Sequence, residues 1–373
     1  MMNSIRYLLF VFGFTCPLAF TAEPLSPPRS AVRTALAKLT PSDQGTRRSP
    51  KRVRLSNWNG TTGQIETSTG IIKTKVLPRR LGAGAFGTVQ EWEFEGEEGS
   101  TTSLAIKSTS SARFQSAQDK LVQNALPLGR GSYSGHPGAR FLNRPTLILT
   151  CKENAIIGIG FPLCAHGNLT TYKKIKEDSG QLLSMDEIRR ILHQVAQGLQ
   201  AMHSPEINLI HHDIKPDNIF VDTLNSDGNV ATISIGDHDT GSDPHEEGAS
   251  KGGTGTAGYM PPEKLRLGLN DHAADLYSLG MVGLFLLDEH RTFNQNMEEF
   301  AIQYATGSNY IGKLFQPYKD VLEARLHNPE EEDLRDELAF IQTYLLPLID
   351  PNPARRHEGF EKLLADLAEP APL

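Results

Sequence analysis

The pattern of apolar and polar residues changes from strand-like to helix-like along the chain. Residues 71–77 predict a strand that enters a glycine-rich turn, and residues 90–95 alternate polar and apolar side chains like a returning strand. Residues 104–106 predict a third short strand. Ser184 and Glu187 have the spacing of a capping box before a segment whose apolar residues recur every three or four positions. Strands followed by helices predict an α+β fold with a small β-rich lobe and a larger α-helical lobe.

The first 22 residues have the pattern of a secretory signal peptide. Arg6 precedes a short apolar run that ends at Phe14, and small residues follow up to Ala22. This run is shorter than the roughly 20 apolar residues of a transmembrane helix. We therefore expect a secreted or secretory-pathway protein with residues 1–22 cleaved and no transmembrane span in the mature chain. A signal-anchored membrane form is the alternative.

Residues 23–70 are rich in Pro, Ser, Thr, Gly and Arg, and they lack sustained apolar periodicity. This composition predicts a mostly disordered leader. The basic run at residues 47–54 favours a solvated linker over a nuclear address or a phosphate-binding patch. Trp58 is a candidate for a contact between the leader and the folded domain.

Composition and charge narrow the classes of function. The 373 residues are 38% hydrophobic and 22% charged, as in ordinary globular proteins, and the net charge of −7 gives no indication of nucleic-acid binding. Signal-peptide cleavage would remove Cys16 and leave Cys151 and Cys164, which are too few for a disulfide framework. We expect both to be free thiols, and we expect a monomer without a zinc site.

A glycine-rich motif lies between the first two predicted strands. Residues 82–89 have the form G-x-G-x-x-G-x-V, and Leu81 precedes them. Glycines let backbone N–H groups approach phosphate oxygens without interference from a Cβ atom. A dinucleotide-binding turn is the usual competitor, but that motif opens a helix, whereas this one leads into another strand. The motif therefore predicts a nucleotide-binding hairpin.

The segment at residues 209–220 follows the predicted amphipathic helix and carries the decisive pattern, Leu-Ile-His-His-Asp-Ile-Lys-Pro-Asp-Asn-Ile-Phe. It resembles the H-R-D-x-K-x-x-N catalytic loop of protein kinases. Further motifs occur in family order: Leu-Ala-Ile-Lys at 104–107, Asp-His-Asp at 237–239, Gly-Thr to Pro-Pro-Glu at 255–263, Asp-Leu-Tyr-Ser-Leu-Gly at 275–280 and Asn-Pro-Ala-Arg-Arg at 352–356. The chain thus resembles the eukaryotic-type protein kinase superfamily over residues 71–368, with lobes at 71–163 and 164–368.

The resemblance implies a role for each matching residue. Asp213 would orient the substrate hydroxyl and accept its proton, and Lys215 would neutralise charge on the γ-phosphoryl group. Asn218 and Asp237 would bind Mg²⁺, with Mn²⁺ as a possible substitute. Lys215 also fits the serine/threonine branch, which implies a protein substrate with a Ser or Thr acceptor. The residues implied for ATP binding are Leu81, Gly82, Gly84, Phe86, Gly87, Val89, Ala105 and Lys107.

The resemblance thus implies a protein serine/threonine kinase that transfers the γ-phosphoryl group of Mg-ATP to a protein hydroxyl. Three departures from the family pattern leave open an alternative, a pseudokinase scaffold that binds nucleotide or a partner protein without efficient catalysis. His212 replaces an arginine, and Asp239 replaces the glycine of D-F-G. The segment after Lys107 lacks the usual glutamate, so that Asp119 and Gln123 both stay open as partners of this lysine.

Further expectations follow from the resemblance. Asp275 is expected to brace the catalytic loop. Arg356 is expected to be the buried partner of Glu263, with Arg355 as the alternative. Because His212 lacks the guanidinium that usually clamps an activation-loop phosphate, we expect activity that does not depend on phosphorylation of that loop.

Overall fold

The structure is a computed structural model, and it describes much of the chain between residues 51 and 367. The described ranges are 51–67, 70–84, 87–95, 101–108, 136–151, 156–242, 255–261, 263–264, 271–287 and 332–367. All of them belong to one compact unit, Pro41–Leu373. Within these ranges no helix combines the length and the apolar character needed to cross a membrane.

Seven strands of the small lobe close into a barrel in the order β1-β2-β3-β4-β5-β7-β6. Neighbouring strands pair antiparallel, except that β1 also pairs parallel with β6 and thereby closes the barrel. The strands are β1 Lys51–Ser56, β2 Thr62–Thr67, β3 Gly70–Gly84, β4 Gly87–Glu95, β5 Thr101–Ser108, β6 Leu147–Thr150 and β7 Ile156–Pro162. The three strands predicted from the sequence are confirmed as parts of β3, β4 and β5.

The prediction of a disordered leader over residues 23–70 is wrong for its second half. Strands β1 and β2 lie in that segment and are two strands of the barrel, so among the described residues the small lobe includes those from Lys51 onward and not only those from residue 71. Every second residue of these strands points inward, as Leu55 and Ile65 do, which buries them despite the polar composition around them. Residues 1–50, including the predicted signal peptide, lie outside the described ranges.

Large apolar side chains fill the barrel, because strand alternation points them to its inner face. Trp92, Phe94, Leu104 and Ile106 are all buried. Trp58, in the turn between β1 and β2, stacks on Trp92 with ring centroids 4.9 Å apart and ring planes 15° apart. The expected contact between Trp58 and the folded domain is confirmed.

The large lobe is mainly helical, with one two-stranded sheet. Helix α3 is buried along almost its whole length, and α2 packs against it in the same core. The elements are α1 Leu169–Asp178, α2 Met185–His203, β8 Ile219–Leu224, β9 Val230–Ile235, α3 His272–Leu287, α4 Glu332–Phe340, a π-helical segment Ile341–Leu345, α5 Leu346–Leu348 and α6 Pro353–Asp366. Short 3₁₀ turns occur at Pro137–Phe141, Pro216–Asn218, His238–Thr240 and Ala257–Tyr259.

Only half of the predicted capping box forms at the start of α2. Ser184 Oγ accepts a hydrogen bond from the backbone N–H of Glu187 at 3.2 Å, as expected for an N-cap. The carboxylate of Glu187 does not return to Ser184. It accepts hydrogen bonds from the Tyr172 hydroxyl at 2.7 Å and from the Val230 backbone N–H at 2.7 Å, and so ties α2 to α1 and β9.

We predict that Trp58→Ala lowers the free energy of unfolding by about 1–3 kcal/mol, because it removes a half-buried ring and its stacking on Trp92. Urea unfolding followed by circular dichroism measures this. Ile71→Ala is the control, since Ile71 is an exposed apolar residue of the neighbouring strand β3, and it should change the stability by less than about 0.5 kcal/mol. Equal effects of the two substitutions would contradict the prediction.

Candidate active site

The glycine-rich motif forms the hairpin between β3 and β4. Gly82 pairs with Val89 and Gly84 pairs with Gly87. Gly87 has φ 142°, a backbone conformation that side chains with a Cβ atom rarely adopt. This conformation explains the need for glycine at position 87. Phe86, at the tip, lies outside the described residues.

The hairpin and β5 place the predicted nucleotide-binding residues on one face of the sheet. Val89 lies opposite Lys107 in the register between β4 and β5, and Ala105 lies opposite Phe161 between β5 and β7. Cross-strand partners share a face, and so do residues two positions apart. Val89, Ala105 and Lys107 therefore face outward from the barrel, away from its apolar interior.

Lys107 forms an ion pair with Asp237, and this pair joins the two lobes. Its Nζ atom lies 2.6 Å from Asp237 Oδ1. Asp237 has φ 60°, an uncommon value for a residue other than glycine, and its position just after β9 aims its carboxylate at β5. Burial raises the pKa of Asp237, but the charge and hydrogen bond of Lys107 outweigh this effect, so that the pKa lies below its ordinary value. The alternative partners Asp119 and Gln123 lie outside the described residues.

The predicted catalytic residues converge around one carboxylate. Asp213 Oδ2 lies 2.8 Å from Lys215 Nζ, and it also accepts a hydrogen bond from Asn218 Nδ2 at 3.1 Å. The hydroxyl of Thr256 donates to Asp213 Oδ1 at 2.7 Å and accepts from Lys215 Nζ at 2.8 Å. The Asp213 carboxylate is thus held in a fixed orientation and already receives a hydrogen bond from a hydroxyl group.

Asp275, in the first turn of α3, holds the catalytic loop by its backbone. Its Oδ2 atom accepts from the His211 N–H at 2.8 Å, and its Oδ1 atom accepts from the His212 N–H at 2.9 Å. His203, the last residue of α2, contacts Oδ2 at 2.9 Å. Burial raises the pKa of Asp275, but the hydrogen bond and charge of His203 outweigh it and keep this pKa far below its ordinary value. The expected bracing role of Asp275 is confirmed.

Two histidine rings connect the catalytic loop to the Asp237 segment. His211 Nε2 lies 2.9 Å from the carbonyl oxygen of Gly236, and the His211 ring meets the His238 ring edge to face at a centroid distance of 5.2 Å. His238 stands where the family usually has phenylalanine. Burial, with a smaller contribution from His211, lowers the pKa of His238 to about 3, so that its ring is neutral at pH 7. The side chain of Asp239 lies outside the described part of the chain.

The activation segment is anchored at its far end by a buried ion pair. Arg356, at the start of α6, is fully buried and bonds to the carboxylate of Glu263 through its Nη2 atom. Arg355 is mostly exposed and lies 3.4 Å from Asp350 instead. The expected pairing of Arg356 with Glu263 is confirmed, and the alternative is excluded.

The side chains at the site fit a Mg²⁺ ion that is shared with phosphate. The Nδ2 atom of Asn218 is held by two acceptors, the carbonyl oxygen and the carboxylate of Asp213, which leaves the amide oxygen as the atom for a metal. Asp237 offers a partly exposed carboxylate nearby. The described residues contain no cluster of three or more His, Cys, Asp or Glu side chains that would form a complete cage. One or two protein oxygens completed by phosphate and water are what Mg²⁺ usually takes.

Three contacts at the site were not predicted from the sequence. They are the hydrogen bond from Thr256 to Asp213, the contact of His203 with Asp275, and the contact of the buried Lys264 with His212 of the catalytic loop. The sequence could have indicated Lys264 by its position directly after Glu263, because the ion pair of Glu263 with Arg356 holds this part of the chain in place. Cys151 and Cys164 are free thiols, as expected.

Comparisons with known proteins identify the same type of domain. The family model described as "Protein kinase domain" matches residues 76–357. The chain is 27% identical over 245 residues to the L-type lectin-domain containing receptor kinase V.5 of Arabidopsis thaliana, over 63% of this chain and 34% of that protein. It is 26% identical over 280 residues to the related receptor kinase V.7, over 73% and 40%. It is 27% identical over 223 residues to the serine/threonine-protein kinase ATG1c, over 60% and 28%. The chain spans less than half the length of these relatives.

His272, the first residue of α3, lies beside the bracing carboxylate. Its ring centroid is 4.5 Å from that of His203. Burial, His203 and His357 lower the pKa of His272 to about 4, against the opposing charges of Asp275 and Asp271. In the unfolded chain the pKa of His272 would be the ordinary histidine value of 6.5. The unfolded state therefore binds more protons than the folded state at pH values between about 4 and 6.5.

We predict that neutral His272 makes the free energy of unfolding depend on pH. As the pH falls from 6.5 toward 4, protons bind His272 in the unfolded state but not in the folded state, and the protein is destabilised. In the variant His272→Phe a phenyl ring, which cannot be protonated, replaces the imidazole. Between pH 7 and pH 5 the unmodified protein should lose about 1–2 kcal/mol more unfolding free energy than the variant. Urea unfolding at both pH values measures the difference, and parallel losses in the two proteins would show that His272 does not contribute.

Proposed function

This chain belongs to the protein kinase family, and we propose that it is a serine/threonine kinase that transfers the γ-phosphoryl group of Mg-ATP to a hydroxyl group of a protein. The observation that carries the proposal is the cluster of Asp213, Lys215 and Thr256. It contains a carboxylate that accepts a hydroxyl hydrogen bond, and an ammonium group 2.8 Å from the same carboxylate. A base that faces a hydroxyl, beside a fixed positive charge, is what phosphoryl transfer requires.

The proposed reaction uses these groups in a definite order. The acceptor hydroxyl of the substrate donates a hydrogen bond to Asp213, as Thr256 does in the structure. As the new O–P bond forms and the bond to the ADP leaving group breaks, the hydroxyl proton passes to the Asp213 carboxylate. Lys215 and Lys107 offset the negative charge on the phosphate oxygens. Bound Mg²⁺, for which Asn218 and Asp237 are the proposed ligands, supplies further charge neutralisation.

Two features support serine or threonine as the acceptor. Lys215 follows Asp213 by two positions, and Thr256 joins both side chains through its hydroxyl. The bridge shows that the Asp213 carboxylate accepts a hydrogen bond from a threonine hydroxyl. A carboxylate has about four acceptor sites, so a substrate hydroxyl of the same kind can donate to it beside Thr256. One relative, the serine/threonine-protein kinase ATG1c, agrees with this proposal by its name.

A second candidate function, a pseudokinase scaffold, is favoured by one observation. Lys107 and Asp237, which are the proposed phosphate-binding and metal-binding residues, neutralise each other directly at 2.6 Å. An ATP phosphate and a metal ion would have to separate this pair before binding, and the ion-pair energy lost would weaken nucleotide binding. A scaffold would keep the pair closed, or would bind nucleotide without transfer.

We also propose that residues 1–22 direct the chain into the secretory pathway. The support is the basic, apolar and small-residue pattern of that segment. A kinase in that location needs a supply of ATP in the secretory lumen or in a recipient cell. Mass spectrometry of the N-terminus of chain secreted from expressing cells tests the proposal, which fails if Met1 is retained.

We predict that Lys107→Met and Asp213→Ala each lower phosphate transfer by at least about 100-fold, because each removes a charge that acts on the reacting groups. Incorporation of radiolabelled phosphate from ATP into a generic basic protein, with Mg²⁺ or Mn²⁺, measures this. Lys174→Met is the control, since Lys174 is an exposed residue on α1. Nucleotide binding without any transfer by the unmodified chain would favour the scaffold.

We predict that activity does not require phosphorylation of the activation segment. Of the four candidate phosphorylation sites Thr240, Ser242, Ser250 and Thr254, the structure describes the first two, and both are engaged. Thr240 Oγ1 donates to the His211 carbonyl oxygen, and the Ser242 hydroxyl bonds to His212. The informative variant is therefore Ser250→Ala combined with Thr254→Ala, which should retain transfer within about twofold, because no arginine precedes Asp213 to clamp a phosphate. A loss of transfer in this variant that phosphomimetic Asp residues restore would contradict the prediction.

A further inference from the structure

Lys264 is a lysine buried beside the catalytic loop. Its exposed fraction is 2%, which is rare for lysine unless the ammonium group has partners. Glu263, the preceding residue, is fixed by its ion pair with Arg356, so that the backbone at Lys264 is held in place. The side chain runs from the end of the activation segment to His212, the residue before the proposed base.

The contacts of Lys264 determine the protonation state of His212. Lys264 Nζ lies 3.1 Å from His212 Nδ1 and donates to the His212 carbonyl oxygen at 3.3 Å. Burial lowers the pKa of Lys264, and the charges of Asp275 and Asp213 oppose this effect. In its ammonium form the lysine only donates hydrogen bonds, so His212 Nδ1 is then the acceptor and carries no hydrogen. The ring is therefore neutral with its hydrogen on Nε2, which donates to Ser242 Oγ at 2.6 Å.

All four hydrogen-bonding groups of His212 have partners. Its N–H bonds to Asp275, its carbonyl oxygen to Lys264, and its two ring nitrogens to Lys264 and Ser242. Its φ is 69°, a sparsely populated value for a residue with a side chain, which persists only where the surroundings enforce it. This backbone conformation sets the direction in which the next residue, Asp213, leaves the loop.

The same contacts join the two ends of the activation segment. Ser242, near its start, exchanges backbone hydrogen bonds with Ile210 of the catalytic loop at 3.0 and 3.1 Å. Lys264, at its end, reaches the same loop from the other side. His212, the residue before Asp213, thus contacts both ends of the segment, Ser242 near its start and Lys264 at its end.

We propose that Lys264 is a positioning residue for Asp213: it acts through neutral His212 and supplies from within the chain a cation that fixes the catalytic loop. The inference rests on the proposed kinase function, because the group that is positioned is the proposed base. It explains how a loop without the usual arginine keeps a catalytic geometry. The cation is part of the fold and is present whether or not the activation segment is phosphorylated.

The kinetic test is Lys264→Met, which keeps the length and the apolar stem of the side chain but removes the ammonium group. We expect kcat to fall by about tenfold or more, since a buried hydrogen bond from a charged donor is lost. The KM for ATP should stay within about twofold, because Lys107 and Asp237 are untouched. Lys362→Met is the matched control, since Lys362 is an exposed lysine of α6. It should leave both constants unchanged.

A spectroscopic test does not depend on activity. Nitrogen-15 spectra of histidine side chains distinguish the two neutral ring forms from the charged ring, and His212→Gln identifies the His212 signals by their absence. The unmodified chain should show His212 neutral with hydrogen on Nε2 at pH 7, and Lys264→Met should shift the Nδ1 resonance. If Lys264→Met fails to fold, Lys264→Gln replaces it. This variant retains neutral N–H donors, and its kcat should still lie about threefold or more below that of the unmodified chain.

The outcomes separate this inference from the proposed function. An active chain whose kcat and His212 resonances are unchanged in the Lys264 variant overturns the positioning role and leaves the kinase function standing. A charged His212 ring, or one with hydrogen on Nδ1, also overturns it. An unmodified chain that transfers no phosphate overturns both, because there is then no catalytic base to position.

Discussion

The carboxylate of Asp275 is excluded from solvent and accepts hydrogen bonds from two consecutive backbone N–H groups, those of His211 and His212. A buried charge is costly unless all of its acceptor positions are used, and removing one partner leaves an uncompensated charge. If the loop before Asp213 moved away from α3, the buried carboxylate of Asp275 would lose two hydrogen-bond donors, which is energetically unfavourable. His203 adds a third partner from the end of α2, so that both central helices of the large lobe support the loop.

The small lobe positions a cation, Lys107, at the end of a strand. Lys107 lies near the end of β5, whose other face packs into a barrel filled by Trp92, Leu104 and Ile106. An open sheet leaves backbone N–H and C=O groups unpaired at its two edges, whereas the β1–β2 hairpin joins β3 to β6, closes this sheet and removes the edges. The hairpin lies before the residues that match the family model. Strand β5, which carries Lys107, pairs with β4 and β7, so the hairpin acts on it only through the closure of the barrel.

Much of the architecture was predictable because kinase motifs combine residue types with fixed spacing. The order of the glycine hairpin, the catalytic loop and the segment ending at Glu263 predicted the two lobes, and the periodicity of α2 predicted its position. The leader prediction failed over β1 and β2 because composition averages over a segment. A barrel strand needs an apolar residue only at every second position, and Leu55 and Ile65 meet that need inside a polar segment.

By itself the sequence determined which residue types stand at the candidate site and in which order along the chain. Only the tertiary structure decided which of them are partners. It pairs Lys107 with Asp237 and Lys264 with His212, and it directs the carboxylate of Glu187 away from Ser184. The physical reason is that periodicity and motif spacing report interactions within a few residues. The partner of a buried charge is whichever group packing brings within about 3 Å, and such groups can lie anywhere in the chain.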